Sequence, residues 1–201
     1  PRFWSMSDYA VIDIDTGKKD LQQCADALMR LRAEWLYAEG RRAEIGFDYT
    51  NGGRVDFARW SSGMRPKAGK TKVTWSKRGK PDASYAALRN YLEQVFSYAG
   101  TYSLDNEMNP VALADMAIGD VFVQGGFPGH AVMVADLVED RRSGERRFLL
   151  VQSYMPAQDM HVLKNPASED GSPWYRTDFG AEFETPDWST PFKATDLKRW
   201  P

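Results

Sequence analysis

Gly119-Asp120-Val121-Phe122-Val123-Gln124-Gly125-Gly126-Phe127-Pro128-Gly129-His130-Ala131-Val132-Met133-Val134 is the stretch from which the rest of the chain can be read. Val121–Gln124 and Ala131–Val134 are short, mostly β-branched apolar runs, and the glycine- and proline-rich segment between them turns one back on the other. The reading is strand, turn, strand, with His130 at the opening of the second strand. Apolar alternation does not require an imidazole there. A histidine held on so rigid a mount is a candidate general base near neutral pH; the structural alternative is a ring bonded to backbone beneath the glycine turn.

Downstream, Phe148–Tyr154 continues the β-rich pattern, with the charged run Glu139–Arg147 as the hairpin tip before it, so the second half is an antiparallel meander. Gln152 ends the apolar run Phe148–Val151, on a strand expected to pair beside the one bearing His130. Its amide oxygen is placed to accept the imidazole N–H, which would orient the ring and fix its tautomer; otherwise it is a polar residue finishing a strand. Gln158 and Asp159 are alternative orienters, and Ser153 and Tyr154 are expected to line the same cleft. Asp159–Leu163 adds a further strand, on which His161 reads as structural. From residue 166 to 201 the chain is expected to run in extended segments over the core, with a short turn near Asp196–Arg199.

Upstream, Ala10–Asp15 alternates like a half-buried strand. Asp20 and Gln23 have the spacing of a capping box, and Cys24, Leu28, Leu31 and Trp35 follow at helical intervals, which predicts a helix over Leu21–Glu39 ended by Gly40. Cys24 then falls at the fourth helical position, where free backbone amides and the helix dipole lower a thiol pKa and favour the nucleophilic thiolate. The plainer reading is a small buried hydrophobe heading an apolar stripe. Glu44–Arg59 reads as short strands around the turn Asn51-Gly52-Gly53. A basic loop or tongue near 61–82 carries Arg65, Lys67, Lys70, Lys72, Lys77, Arg78 and Lys80 with no acidic residue between them. Asp82 or Ser84 caps a second helix, whose Leu88, Leu92, Val95, Phe96 and Ala99 form one face before Gly100. Helices first and sheet later make an α+β fold, N-terminal helices packed on a C-terminal antiparallel sheet, expected as one domain over 1–201.

Composition narrows the function classes. With 201 residues, 42% hydrophobic and 13% aromatic, the chain can bury one sizeable core. A net charge of -2 gives no global reason to bind nucleic acid. One cysteine forms no intramolecular disulfide. No apolar run is long enough to span a bilayer, and Pro1-Arg2-Phe3-Trp4 lacks the pattern of a leader, so a leader or upstream segment is expected to have been removed. Two histidines far apart show no metal-ligand spacing, so neither metal nor organic cofactor is expected. A metal-dependent hydrolase would have to use His130, His161 and Asp159.

Leu21–Ala27, Gly125–Ala131, Gln152–Asp159, Asp178–Gly180 and Asp196–Trp200 resemble a bacterial family known only as a domain of unknown function (4846), over nearly the whole chain. More distantly, Gly119–Phe122 followed by Gly129–Val134 looks like the pattern of NlpC-type cell-wall peptidases of the papain-like superfamily. Those enzymes order their sites as helix cysteine, strand histidine and a polar residue on the next strand. The resemblance implies Cys24 as nucleophile, His130 as base and Gln152 as orienter. The chain departs from that pattern in having Gln23 and Ala25 around the cysteine instead of Asp before and Ser-Gly after. The stretch to His130 is also longer, which makes the second helix and the tongue insertions.

Tyr49, Asn51, Arg59 and Trp60 cluster in sequence and offer stacking and hydrogen-bonding surfaces to a sugar or peptide stem; as aromatic core they need no ligand. The tongue suits an anionic wall polymer or a carboxylate-rich peptide, or is merely solvated. The expectation is a bacterial, extracytoplasmic cysteine hydrolase, an amidase or peptidase acting on an amide bond of a peptidoglycan stem peptide. The alternative is a non-catalytic binding module on a papain-like scaffold.

Overall fold

The computed structural model describes residues 8–201; the Pro1–Trp4 terminus lies outside them. The elements run β1 (Asp8–Val11), α1 (Cys24–Ala38), β2 (Gly46–Asp48), β3 (Arg54–Asp56), α2 (Phe57–Ser61), β4 (Met64–Ala68), β5 (Val73–Lys77), α3 (Tyr85–Phe96), α4 (Thr101–Glu107) and β6 (Asn109–Pro110). Then follow β7 (Val121–Gln124), β8 (His130–Glu139), β9 (Arg146–Gln152), β10 (His161–Leu163), β11 (Tyr175–Arg176), β12 (Glu182–Thr185), β13 (Trp188–Lys193) and β14 (Leu197–Arg199). The fold is mixed, with four α-helices among the described residues and antiparallel sheets throughout.

The expected meander is the centre of the main sheet, ordered β1-β10-β9-β8-β7-β14-β6, with β11 on the same edge of β9 as β10. Both ends of the chain extend it. The first strand is shorter than its pattern, ending at Val11, and pairs with β10. The turn expected near Asp196–Arg199 is instead a 3-10 turn followed by β14, which enters the sheet between β7 and β6. An ion pair fixes it there: the Arg199 guanidinium reaches both oxygens of buried Asp120 at 2.6 and 2.8 Å.

Alternation along the central strands sends side chains to two cores. Val121, Val123, Ala131, Met133 and Val151 face the helices and pack with Leu28, Leu36, Leu88 and Leu92. Phe122, Val132, Val134, Phe148 and Leu150 face the other way and are covered by Tyr175, Phe183, Phe192 and Leu197. Each such fully buried side chain contributes roughly 1.5–3 kcal/mol by leaving water. From residue 166 on, the chain therefore adds β11 and β14 to the main sheet and builds a second layer around the β12–β13 hairpin, where the pattern of sequence suggested extended wrapping.

Two helices escaped the sequence reading. Phe57–Ser61 lies where strands were expected, and Thr101–Glu107 follows directly on α3. Gly100 starts that helix with an extended backbone rather than ending α3, whose last residue is Phe96. Ser84, not Asp82, caps α3 by accepting from the Ala87 amide at 3.2 Å. In the basic region β4 and β5 form a regular hairpin, Arg65 opposite Ser76 and Lys67 opposite Thr74.

Candidate active site

The helix that carries Cys24 starts three residues later than its pattern suggested. Gln22 takes a left-handed backbone, φ 65°, and Gln23 is extended, so the cap is Gln23 and the boxed partner Asp26, whose carboxylate accepts from the Gln23 amide at 3.1 Å. Asp20 is drawn elsewhere: its carboxylate accepts from the Ala157 amide at 2.7 Å. Cys24 is therefore the first helical residue, not the fourth.

That loop is stapled to the end of β9. The buried Ser153 hydroxyl sits between two carbonyls, 2.7 Å from Gln158 and 3.2 Å from Gln22, and shares its one proton between them. The residue after Gln152 and the residue two before Cys24 are thus joined, which sets the helix start against the sheet.

His130 opens β8 after a turn that only glycine at 129 permits. A Cβ there would come within 2.4 Å of both the Gln124 carbonyl oxygen and the Thr101 hydroxyl. The ring is buried, and its Nε2 lies 2.6 Å from the Gln152 side-chain oxygen. The Gln152 amide nitrogen in turn lies 3.2 Å from Nε2 of His161, whose Nδ1 is 3.2 Å from the Asp159 carbonyl. With the Gln152 oxygen as acceptor, Nε2–H of His130 is the donor of that bond. This leaves Nδ1 of His130 as the basic nitrogen. The Asp8 carboxylate also approaches His161 Nε2, at 3.3 Å. His161, read from sequence as structural, positions the orienter, while Asp159 serves through its backbone and Gln158 accepts from Ser153.

Three residues that no motif marked, Trp188, Phe192 and Asp187, complete the surroundings together with Tyr154. The Trp188 ring lies 5.2 Å from the imidazole and the Phe192 ring 6.2 Å, both from the β13 strand. Trp188 is held by its indole N–H, which donates to the Gln124 side chain at 2.8 Å. Tyr154 meets the ring edge-on at 5.2 Å and donates its hydroxyl to the Asp187 carbonyl at 2.6 Å. Asp187 itself sits at φ 67°, a left-handed backbone that is strained for a non-glycine residue. The turn residues Pro186-Asp187 before a tryptophan were a hairpin signal, but nothing in sequence tied that hairpin to His130.

Electrostatics correct one expectation. Burial pushes the Cys24 thiol up to about 11, helped by Asp26 two residues on, and outweighs the backbone amides of Ala25, Ala131 and Cys24 itself, which pull it down. The helix start acts in the anticipated direction, but desolvation wins. The Ala131 amide among those groups belongs to the residue after His130, so the partly buried thiol lies against the start of β8. His130 is pushed down to about 4 by burial, against the Gln152 hydrogen bond and the Asp187 charge. Asp26, buried, is pushed up to about 7. The Tyr154 phenol is raised by burial and by the charges of Asp187 and Cys24.

His130 thus contacts Gln152 and Tyr154, Ser153 ties the same strand end to the loop before Cys24, and the thiol lies near Ala131 and Tyr154. The other four expected residues belong elsewhere. Tyr49 is buried and stacks on Tyr98, and Trp60 is buried against Tyr91 and under the Arg65 guanidinium, so neither ring offers a stacking face. Arg59 lies over Trp75 of β5, and Asn51 bonds the tip of the β4–β5 hairpin. Among the described residues no group of three His, Cys, Asp or Glu is placed to hold a metal ion, and no helix is long and apolar enough to cross a membrane.

The family described as Domain of unknown function (4846) matches residues 4–199, and the chain belongs to it. No curated protein and no solved structure matches the chain.

Proposed function

We propose that the protein is a cysteine hydrolase of papain-like, NlpC-like design that cleaves an amide bond, with peptide of the bacterial cell wall as its substrate class and an extracytoplasmic place of work. The observation that carries this reading is the 2.6 Å contact of His130 Nε2 with Gln152, at the start of the strand against which the Cys24 thiol lies. A helix thiol, a strand imidazole and an amide oxygen on the next strand support the roles of nucleophile, base and orienter.

At pH 7 the thiol and the imidazole both rest neutral, with about one thiol in ten thousand ionised at a pKa near 11. The Cys24 proton therefore passes to Nδ1 of His130 as sulfur bonds to the carbonyl carbon, the manner of a hydroxyl nucleophile rather than a preformed thiolate. The first-turn amides of Cys24 and Ala25 have no acceptor within the helix and supply donors for the oxyanion. Collapse breaks the C–N bond, the imidazolium returns its proton to the leaving amine, and water hydrolyses the thioester.

The raised thiol favours a second reading, a binding module that keeps this scaffold without turnover, because burial holds the nucleophile protonated. One experiment separates them. Purified wall stem peptides are incubated with the protein, and new amine termini and a Cys24 acyl adduct are sought by mass spectrometry. Turnover that is lost in Cys24→Ala and in His130→Ala supports the hydrolase; binding with no cleavage by the parent, or cleavage that survives Cys24→Ala, refutes it.

A further inference from the structure

The β4–β5 hairpin is the least explained feature of the chain. Residues 59–80 hold eight of the 26 basic residues and none of the 28 acidic ones, which leaves 18 basic against 28 acidic in all the rest. Lys67, Lys70, Lys72, Lys77, Arg78 and Lys80 are exposed, and among the described residues none of them forms an ion pair. Like charges are held side by side with nothing to offset them.

They are also held in place. At the tip, the Asn51 amide donates to the Gly69 carbonyl at 2.7 Å, and Gly69 N–H donates to the Lys72 carbonyl at 2.9 Å. At the root, the amides of Arg78 and Gly79 both donate to the Gly63 carbonyl, at 3.0 and 3.1 Å. A Cβ at Gly63 would meet the Gly79 carbonyl oxygen at 2.3 Å, so the strands close there only because residue 63 is glycine. Ala68, Val73 and Trp75 pack on the helical core, which turns the face of Lys67, Thr74 and Ser76 outward. This is an ordered ribbon, not a solvated loop.

We propose that this outward face binds a linear polymer of phosphates. Two of the three arginines are engaged, Arg65 donating to the Trp60 and Met64 carbonyls at 3.0 and 2.7 Å and Arg59 covering Trp75 at 4.7 Å, while Arg78 gives its Nε–H to the Ser76 hydroxyl at 3.1 Å. What faces solvent is chiefly lysine, a point charge that suits phosphate and does not select the planar fork of a carboxylate. Lys67, Lys70 and Lys72 stand at the tip and Lys77, Arg78 and Lys80 at the root, and the five-residue strands between give a track of about 17 Å. A lipid surface is disfavoured because the tip Gly69-Lys70-Thr71-Lys72 has no apolar side chain to insert. Nucleic acid is disfavoured because the one tryptophan of the ribbon is capped by Arg59 and packed inward, leaving no ring on which bases stack.

The test titrates the full chain with long-chain inorganic polyphosphate by calorimetry at low and moderate salt. Binding should weaken with salt, and Lys67→Gln/Lys70→Gln/Lys72→Gln should lower affinity about tenfold or more and flatten the salt slope by roughly 2. Thermal unfolding of the variant should match the parent, since these side chains touch only solvent. Absence of binding at low salt, equal affinity in the triple variant, or tighter binding to anionic lipid vesicles, polyglutamate or single-stranded DNA would each overturn the proposal. None of these outcomes depends on whether Cys24 is catalytic.

Discussion

Lowering the pH should unfold this protein partly through one buried ring. His130 has a folded pKa near 4 against 6.5 for the exposed group. The sign follows from which state binds the proton: a histidine held neutral by burial contributes stability that is whole above pH 6.5 and is lost as pH falls toward 4, because only the unfolded chain takes up the proton in that window. Two and a half pH units amount to about 3 kcal/mol. Asp26 and Glu107, both buried and both pushed up to about 7, act with the opposite sign. Their neutral forms suit the interior, so folding suffers as pH rises from their unfolded values toward 7 and recovers as it falls. The parent's own profile mixes these slopes, and the informative quantity is the difference between parent and His130→Gln. Urea unfolding from pH 7.5 to 4.5 should show that difference shrinking by roughly 2.5 kcal/mol in the parent's disfavour. A difference that stays flat across the window would mean that the ring is hydrated and that the dry pocket does not exist in solution.

Trp188→Ala uncovers the same ring, and His130 should then titrate near 6.5 by proton NMR, with a loss of about 2 kcal/mol for the half-buried indole; an unchanged titration would show that the β12–β13 hairpin does not dry the site. Ser153→Ala leaves the Gln22 and Gln158 carbonyls without their donor and should cost roughly 1–2 kcal/mol in denaturant unfolding. The same variant should slow any turnover without moving the thiol titration, and a shifted titration argues against a purely positioning role. Alkylation of Cys24 by iodoacetamide should climb about tenfold per pH unit through pH 9, as expected for a thiol with a pKa near 11. A plateau near neutral pH would instead reveal a thiolate–imidazolium pair.

How far the sequence could be read depended on the range of the interaction that decides each feature. The central strands, the hairpin tip and the pairing of His130 with Gln152 follow from local alternation, because a polar residue that ends an apolar strand next to a neighbour bearing an imidazole has few places to go. The start of α1 was misplaced by three residues for a long-range reason. Asp20 has the spacing of a cap, but it serves the Ala157 amide 137 residues away, and the job passes to Gln23 and Asp26. The thiol pKa failed in the same way: sequence places a cysteine at a helix start, where the dipole lowers it, but the degree of burial that raises it belongs to tertiary packing. Tyr49 and Trp60 show the limit from the other side, since an aromatic that stacks on a ligand and one that stacks on Tyr98 or Tyr91 look alike in sequence.

The features that sequence missed bear on one physical question, how wet the site is. Trp188 and Phe192 remove water from His130, and Trp188 is locked by Gln124, the last residue of the strand just before the glycine turn. The Gln124 amide reaches back to the Pro191 carbonyl and the Asp196 carboxylate, each at 2.9 Å, so one side chain ties the turn before His130 to the hairpin above it. Dryness has two effects of opposite use. It removes the charge of the resting thiol and imidazole, and it strengthens every dipole aimed at a charge that forms only during reaction, where fewer waters compete and the donors are already in place. A site of this kind spends little time reactive and gains most at the moment of attack. Its idle thiol is then expected under either reading, and the formation of a Cys24 acyl adduct that water then clears, not the reactivity of the free cysteine, is the property that tells a hydrolase from a scaffold.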